Sequence, residues 1–268
     1  MIHKAFWPSL IYMSLIGLAP TSLSRVAEAA TAEELRICAD RNADADLKLN
    51  ACSEVLKSNA EIAVLANARH QRGLSYFRKK RFDEAIADYN EALKLDPKFV
   101  LAWGARALAF QGKGDIERAL ADMNEALRID PGSADMYLVR GYFYGIRKEW
   151  NKAESDLNEA IRIRPNSPSG FVSRARMRRD QGDLERAVMD YGKAISLDAN
   201  NLSAYEGRAK IYFDRDDVDK ALADFDQVVR LDPRDPSTYA ARAFLYKKKG
   251  DYQRAAAESA EATKRGWK

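Results

Sequence analysis

Six arginines stand 34 residues apart, at Arg72, Arg106, Arg140, Arg174, Arg208 and Arg242. Each is followed sixteen residues on by an acid: Asp88, Asp122, Asp156, Asp190, Asp224 and Glu258. Guanidiniums gathered on one face would make a basic groove for nucleic acid or an acidic sugar. The constant spacing favours another chemistry, in which each Arg gives its acid a forked, charge-assisted hydrogen bond. Other reactive groups are scarce, with two His (His3 and His70) and two Cys (Cys38 and Cys52) in 268 residues. No Walker loop, HExxH, GxSxG or cluster of metal ligands is present, so no catalytic residue, metal or cofactor is expected.

These residues sit in a chain that is 46% hydrophobic and 31% charged, with a net charge of +4. The two signs are interspersed, which leaves no one-signed field for nucleic acid. Pro97, Pro131, Pro165 and Pro233 fall on the same 34-residue step, with Ala199 at the missing place. They divide the chain into blocks 66–99, 100–133, 134–167, 168–201, 202–235 and 236–268. Place 8 of each block is Gly or Ala, and place 20 is Ala in all six (Ala85, Ala119, Ala153, Ala187, Ala221 and Ala255). Places 4, 11 and 24 are mostly large, as in Trp103, Tyr137, Phe110 and Tyr191. Places 4, 8 and 11 share one helical face, and so do 20, 24 and 27. The small residues let two antiparallel helices approach, and the large ones fill the flanks. Gly114-Asp115, Gly182-Asp183 and Gly250-Asp251 mark the turn within a hairpin, and Asp-Pro pairs end the second helix. Such a unit cannot cover its own apolar face, so neighbours must stack.

With these places in hand, residues 66–268 resemble the tetratricopeptide repeat family. Arg69 and Arg178 stand where aromatics are usual, Ala199 replaces Pro, and Ser259 thins the last helix, which is expected to be a polar end cap. The resemblance implies an all-α superhelical solenoid of antiparallel helix hairpins. Residues 30–65 stay in phase, with Leu35, Ala39 and Ala51 at places 4, 8 and 20, and read as a degenerate hairpin around RNADAD at 41–46. Cys38 and Cys52 face each other across it, one step from the small-residue contact. In an exported chain that suggests a disulfide closing a loop of about 15 residues, with a stabilisation of roughly 3 kcal/mol. Two buried thiols, or a redox dithiol without Cys-x-x-Cys spacing, are the alternatives.

Export is expected from Met1–Ala29. Lys4 gives a basic start, Ala5–Ala19 an apolar stretch, and Ala27-Glu28-Ala29 a cleavage site. The apolar stretch is broken by Pro8, Ser9 and Ser14 and is short for a membrane anchor. The mature chain is therefore expected in a bacterial periplasm or secreted, with no stable membrane insertion.

The resemblance also implies that the first helices line a concave groove for a protein or peptide partner, through places 2, 5, 9, 12 and 13. The early groove then offers Leu74, Phe77, Leu101, Leu108, Leu138 and Tyr142. The later groove is more basic, with Arg176, Arg179, Lys210, Phe213 and Phe244. His70 and Leu74 stand where relatives that clamp a terminal carboxylate need Lys and Asn, so that clamp is not expected. The expected role is a non-enzymatic interaction scaffold that helps assemble an envelope complex. A module for cell-wall polysaccharide is the alternative, and an enzyme is the least supported.

Overall fold

The structure is a computed structural model that describes residues 30–40 and 42–267, so the expected export signal lies outside the described residues. Among the described residues there are fourteen helices and no strand. They are α1 (Ala32–Ala39), α2 (Ala45–Val55), α3 (Ile62–Arg78), α4 (Phe82–Leu95), α5 (Val100–Gly112), α6 (Ile116–Ile129), α7 (Ala134–Ile146), α8 (Trp150–Ile163), α9 (Pro168–Gln181), α10 (Leu184–Leu197), α11 (Leu202–Asp214), α12 (Val218–Leu231), α13 (Pro236–Lys248) and α14 (Tyr252–Lys264). Each odd helix pairs with the even helix that follows, and each hairpin then packs on the next, which makes an all-α repeat solenoid.

The turn inside each hairpin follows from one backbone state. Lys80, Gly114, Lys148, Gly182, Asp216 and Gly250, all at place 15, have φ between 57° and 93°. Glycine enters that left-handed region without strain. The Asp after it caps the next helix: Asp115, Asp183 and Asp251 accept from the N–H groups of Arg118, Arg186 and Arg254. The Gly-Asp pair is thus one device with two parts. At the far end Asp96, Asp130, Asp198 and Asp232 each accept the N–H two residues on, at 2.9–3.1 Å. Asp198 does so before Ala199, so the aspartate makes this turn even where proline is missing.

Packing follows the small-into-large pattern. Ala85, Ala119, Ala153, Ala187 and Ala221 are fully buried, as are Tyr89, Met123, Leu157 and Tyr191 at place 24. Removing each large side chain from water contributes about 1.5–3 kcal/mol. The fit leaves little slack, because a Cβ on Gly73 would lie 2.6 Å from the Tyr89 ring, and one on Gly207 would lie 2.3 Å from Tyr191 Cζ.

Both ends differ from the middle. Cys38 and Cys52 are joined in a disulfide, with Cα atoms 4.9 Å apart, inside a cluster with Ala51, Val55 and Ala68. α3 begins at Ile62, a turn earlier than the repeat phase suggests, and Val64 from that extra turn packs against the disulfide cluster. At the other end α14 exposes Gln253, Arg254 and Lys264. Exposed Tyr252, Trp267 and Phe244 border a hollow of about 430 Å³ over Ala256 and Ser259. Ser259, which lines it, supplies no large side chain at the place that Tyr89 and Tyr191 fill elsewhere.

Candidate functional site: an apolar groove with a basic end

The arginine ladder resolves first, because it decides which charges are left to meet a partner. Arg140 Nε and Nη2 donate to the two Asp156 oxygens at 2.7 and 2.8 Å. Arg72–Asp88, Arg106–Asp122, Arg174–Asp190 and Arg208–Asp224 repeat the same fork, all within 2.7–2.9 Å. Arg242 meets Glu258 at 3.0 Å. The five aspartates are buried. The hydrogen bond to its aspartate holds each of Arg72, Arg140, Arg174 and Arg208 above the ordinary guanidinium value. Burial nonetheless pushes the Asp122 carboxyl up against the pull of Arg106.

A second ladder, not read from the sequence, ties neighbouring hairpins. The remaining Arg nitrogen donates back to an Asn of the previous hairpin: Arg106 to Asn90 at 2.7 Å, Arg140 to Asn124 at 2.9 Å and Arg174 to Asn158 at 2.6 Å. The signal was in the sequence, since Asn90, Asn124 and Asn158 share place 25. The off-pattern arginines join the same system. Arg69 reaches Asp88 at 3.0 Å, and Arg178 bridges Asp190 at 2.7 Å and Glu154 at 2.5 Å. A hollow of about 640 Å³ opens over Arg69, Arg72 and Arg106, but Asp88 and Asp122 engage these guanidiniums. The ladder is structural and leaves no basic groove there.

The first helices carry the other face. Leu74, Phe77, Leu101 and Leu108 line a hollow of about 280 Å³ with Met136 and Val139. Leu108, Leu138, Tyr142, Arg176 and Arg179 line a second of about 510 Å³ with Ile146, Trp150, Met177 and Asp180. Leu108 and Val139 belong to both, so the two form one continuous wall across α3, α5, α7 and α9. Leu101 and Tyr142 are each more than half exposed, at 56% and 55%. Phe213 and Phe244 stack with centroids 5.5 Å apart on α11 and α13, and Phe244 opens onto the end hollow. Lys210 is exposed on α11 and lines none of these hollows.

Trp150, Met136, Val139 and Met177 are groove residues that the resemblance did not supply. Trp150 had a signal of its own, since place 17 is apolar in every block (Phe82, Ile116, Trp150, Leu184, Val218 and Tyr252). His70, at place 5, also lines the first hollow. It is buried between the rings of Tyr89 and Phe99, at 5.9 and 5.0 Å. Burial first, then the Lys48 charge, pushes its imidazole down from 6.5 to about 4, so it is neutral at ordinary pH. Among the described residues no cluster of three or more His, Cys, Asp or Glu is placed to hold a metal, and no helix is long and apolar enough to cross a membrane.

Comparison with known proteins follows the same outline. Family models described as "Tetratricopeptide repeat" match residues 66–99 and 105–168, and one described as "TPR repeat" matches 175–215 and 209–250. A search of curated proteins gave no match. Among solved structures, a tetratricopeptide repeat protein from Parabacteroides merdae is 21% identical with a TM-score of 0.66, over 87% of this chain and 91% of that one. PilW, described as a widely conserved type IV pilus biogenesis factor, is 21% identical with a TM-score of 0.65, over 74% and 91%. YrrB, described as having an unusual peptide-binding site, is 19% identical with a TM-score of 0.50, over 66% and 92%.

Proposed function

The chain belongs to the tetratricopeptide repeat family, and from that premise we propose that it is a non-enzymatic scaffold whose concave groove holds a segment of a partner protein. The observation that carries this reading is the continuous apolar wall that passes through Leu108 and Val139 and leaves Leu101 and Tyr142 open to solvent. Exposed aromatic and aliphatic groups of this kind are the anchors on which peptide recognition rests. The solenoid supplies rigidity, so the groove is formed before a partner arrives and binding costs little ordering of the receptor. Engaged charges on the ladder face leave that side without a competing site. PilW and YrrB, whose descriptions name pilus biogenesis and peptide binding, are compatible in fold with such a role.

We place this activity in the bacterial envelope, on the strength of the Met1–Ala29 signal and a cysteine pair joined within the N-terminal hairpin. N-terminal sequencing of the exported chain should begin at Ala30. A photo-crosslinker at Tyr142, activated in cells, should capture one protein chain, and Leu138→Asp should abolish that capture. Retention on purified cell wall without any captured protein would replace this reading with polysaccharide binding. Crosslinking unaffected by Leu138→Asp would remove the groove from the function.

A further inference from the structure

Resting on the groove reading above, we propose that Arg176 receives a side-chain carboxylate of the bound segment, an Asp or Glu with apolar residues on both sides.

Its neighbours on α9 are all committed. Arg174 is held by Asp190 and Asn158, Arg178 by Asp190 and Glu154, and Arg179 by Asp180 at 2.9 Å. Arg176 stands among them and, within the described residues, has no carboxylate in ion-pair range. It is exposed and lines the 510 Å³ hollow beside Leu138 and Tyr142. In a chain that pairs its arginines so consistently, an open guanidinium beside an apolar wall is a place prepared for a charge from outside.

The surroundings fit a carboxylate. Glu206 on α11 feels the attraction of Arg176, but burial and the like charges of Asp235 and Asp232 outweigh it and push its carboxyl up, and it does not close on the guanidinium. Asp180 is turned to Arg179. Nearby is Tyr191, fully buried, whose hydroxyl is pushed up by burial and pulled down by Arg179 and Arg176. Surroundings of low polarisability strengthen a charge-assisted bond formed beside them. The planar fork of Arg suits the two oxygens of a carboxylate.

The groove also says which carboxylate. It does not end at Arg176. Leu138 and Tyr142 line the hollow with Arg176, and the stack of first helices continues past α9 to α11, which contacts α9 and carries Phe213 against Phe244 of α13. A segment that uses both sets of anchors passes over Arg176 with its chain continuing, so the acid is a side chain and not a terminus.

The test uses the full mature chain and a library of random twelve-residue peptides displayed within a loop of a carrier, which leaves no free terminus. Enriched sequences should carry Asp or Glu between apolar residues. The best of them, made with acetyl and amide ends, should bind Arg176→Gln about tenfold to a hundredfold more weakly. Arg176→Lys should recover only part of that loss. Replacing the peptide's acid with its amide should cost the same and add nothing to Arg176→Gln. The melting temperature of Arg176→Gln should change little, because the side chain is exposed and forms no ion pair within the described residues. Enriched peptides without acids, or an acid-bearing peptide indifferent to Arg176→Gln, would overturn the proposal. Tyr142→Ala then separates the two readings: weakened binding keeps the groove and rejects Arg176, and unchanged binding rejects both. A library that yields nothing counts against both as well.

Discussion

Asp156→Ala tests whether the buried ladder acts as pairs. Asp156 is 5% exposed and takes both ends of the Arg140 fork, at 2.7 and 2.8 Å, while Arg140 keeps one bond to Asn124 at 2.9 Å. Removing the carboxylate leaves a guanidinium that is about one-fifth exposed without its counter-charge. Breaking a buried pair from one side costs about 3–5 kcal/mol. Arg140 keeps the Asn124 bond and some water, so about 2–3 kcal/mol is expected for this variant. Arg140→Met strands a more deeply buried carboxylate and should cost about 3 kcal/mol. The two together should cost no more than about 1–2 kcal/mol, because exchanging a whole buried pair for apolar groups can be close to neutral. The assay is urea unfolding at pH 7 followed by circular dichroism and tryptophan fluorescence, with coincident transitions required before the cycle is closed. A coupling of about 3 kcal/mol or more is expected. Single costs that sum to the double within about 0.5 kcal/mol would refute pairing as the organising interaction.

The other predictions follow from single contacts. Gly207→Ala drives a methyl to 2.3 Å from Tyr191 Cζ and should cost about 1–3 kcal/mol, whereas a Cβ at Gly145 meets nothing within 4 Å, so Gly145→Ala should gain up to about 1 kcal/mol; equal melting temperatures for the two variants would count against the small-into-large packing. Gly192 stands at the place of Asn90, Asn124 and Asn158, and its Cβ would sit 3.5 Å from Arg208 Nη1, so Gly192→Asn should restore the missing tie and raise stability by about 1 kcal/mol, with slower hydrogen exchange in α10 and α11. His70 has a folded value of about 4 against an ordinary 6.5, so its contribution is complete above pH 6.5 and is lost as pH falls toward 4, about 3 kcal/mol over the whole interval. Unfolding at pH 7.5 and 4.5 should show the wild type losing more stability than His70→Gln, and equal losses would place the sensitivity elsewhere.

The repeat was legible because its physics is local. Gly-Asp at 114–115, 182–183 and 250–251 declares a left-handed residue and a helix cap in two letters, and the alanines of place 20 declare a close helix contact. Lys80, Lys148 and Asp216 adopt the same backbone state with no such letter. There the stack imposes the turn, and sequence alone could place it only by phase. The Asn ladder escaped because asparagine at place 25 reads as an exposed helix residue until the Arg of the next hairpin is brought beside it. The burial of His70 was hidden for a related reason. Its spacing puts it on the groove side, but Phe99 closes over it from the end of the block. At α14 the thinned place at Ser259 is plain in the sequence, but the hollow beside it, bordered by Phe244 and Trp267, needs the fold to be seen.

What separates structure from function here is which charges are spent inside the stack. The ladder draws in all six arginines of place 7, with Arg69 and Arg178, and turns all but Arg242 toward buried aspartates, while Arg242 meets half-buried Glu258. A stack held this way keeps its strongest polar groups away from solvent, and the inner surface is left to apolar anchors. Such a surface binds with little discrimination, since apolar contacts tolerate many side chains of similar size. Selectivity then has to come from the few polar groups that the ladder does not use. Arg176 is the guanidinium on the groove wall that meets this condition. On the proposed reading, a chain with nearly balanced charge would choose among partners through an uncommitted group set among many committed ones, not through the field of the whole protein.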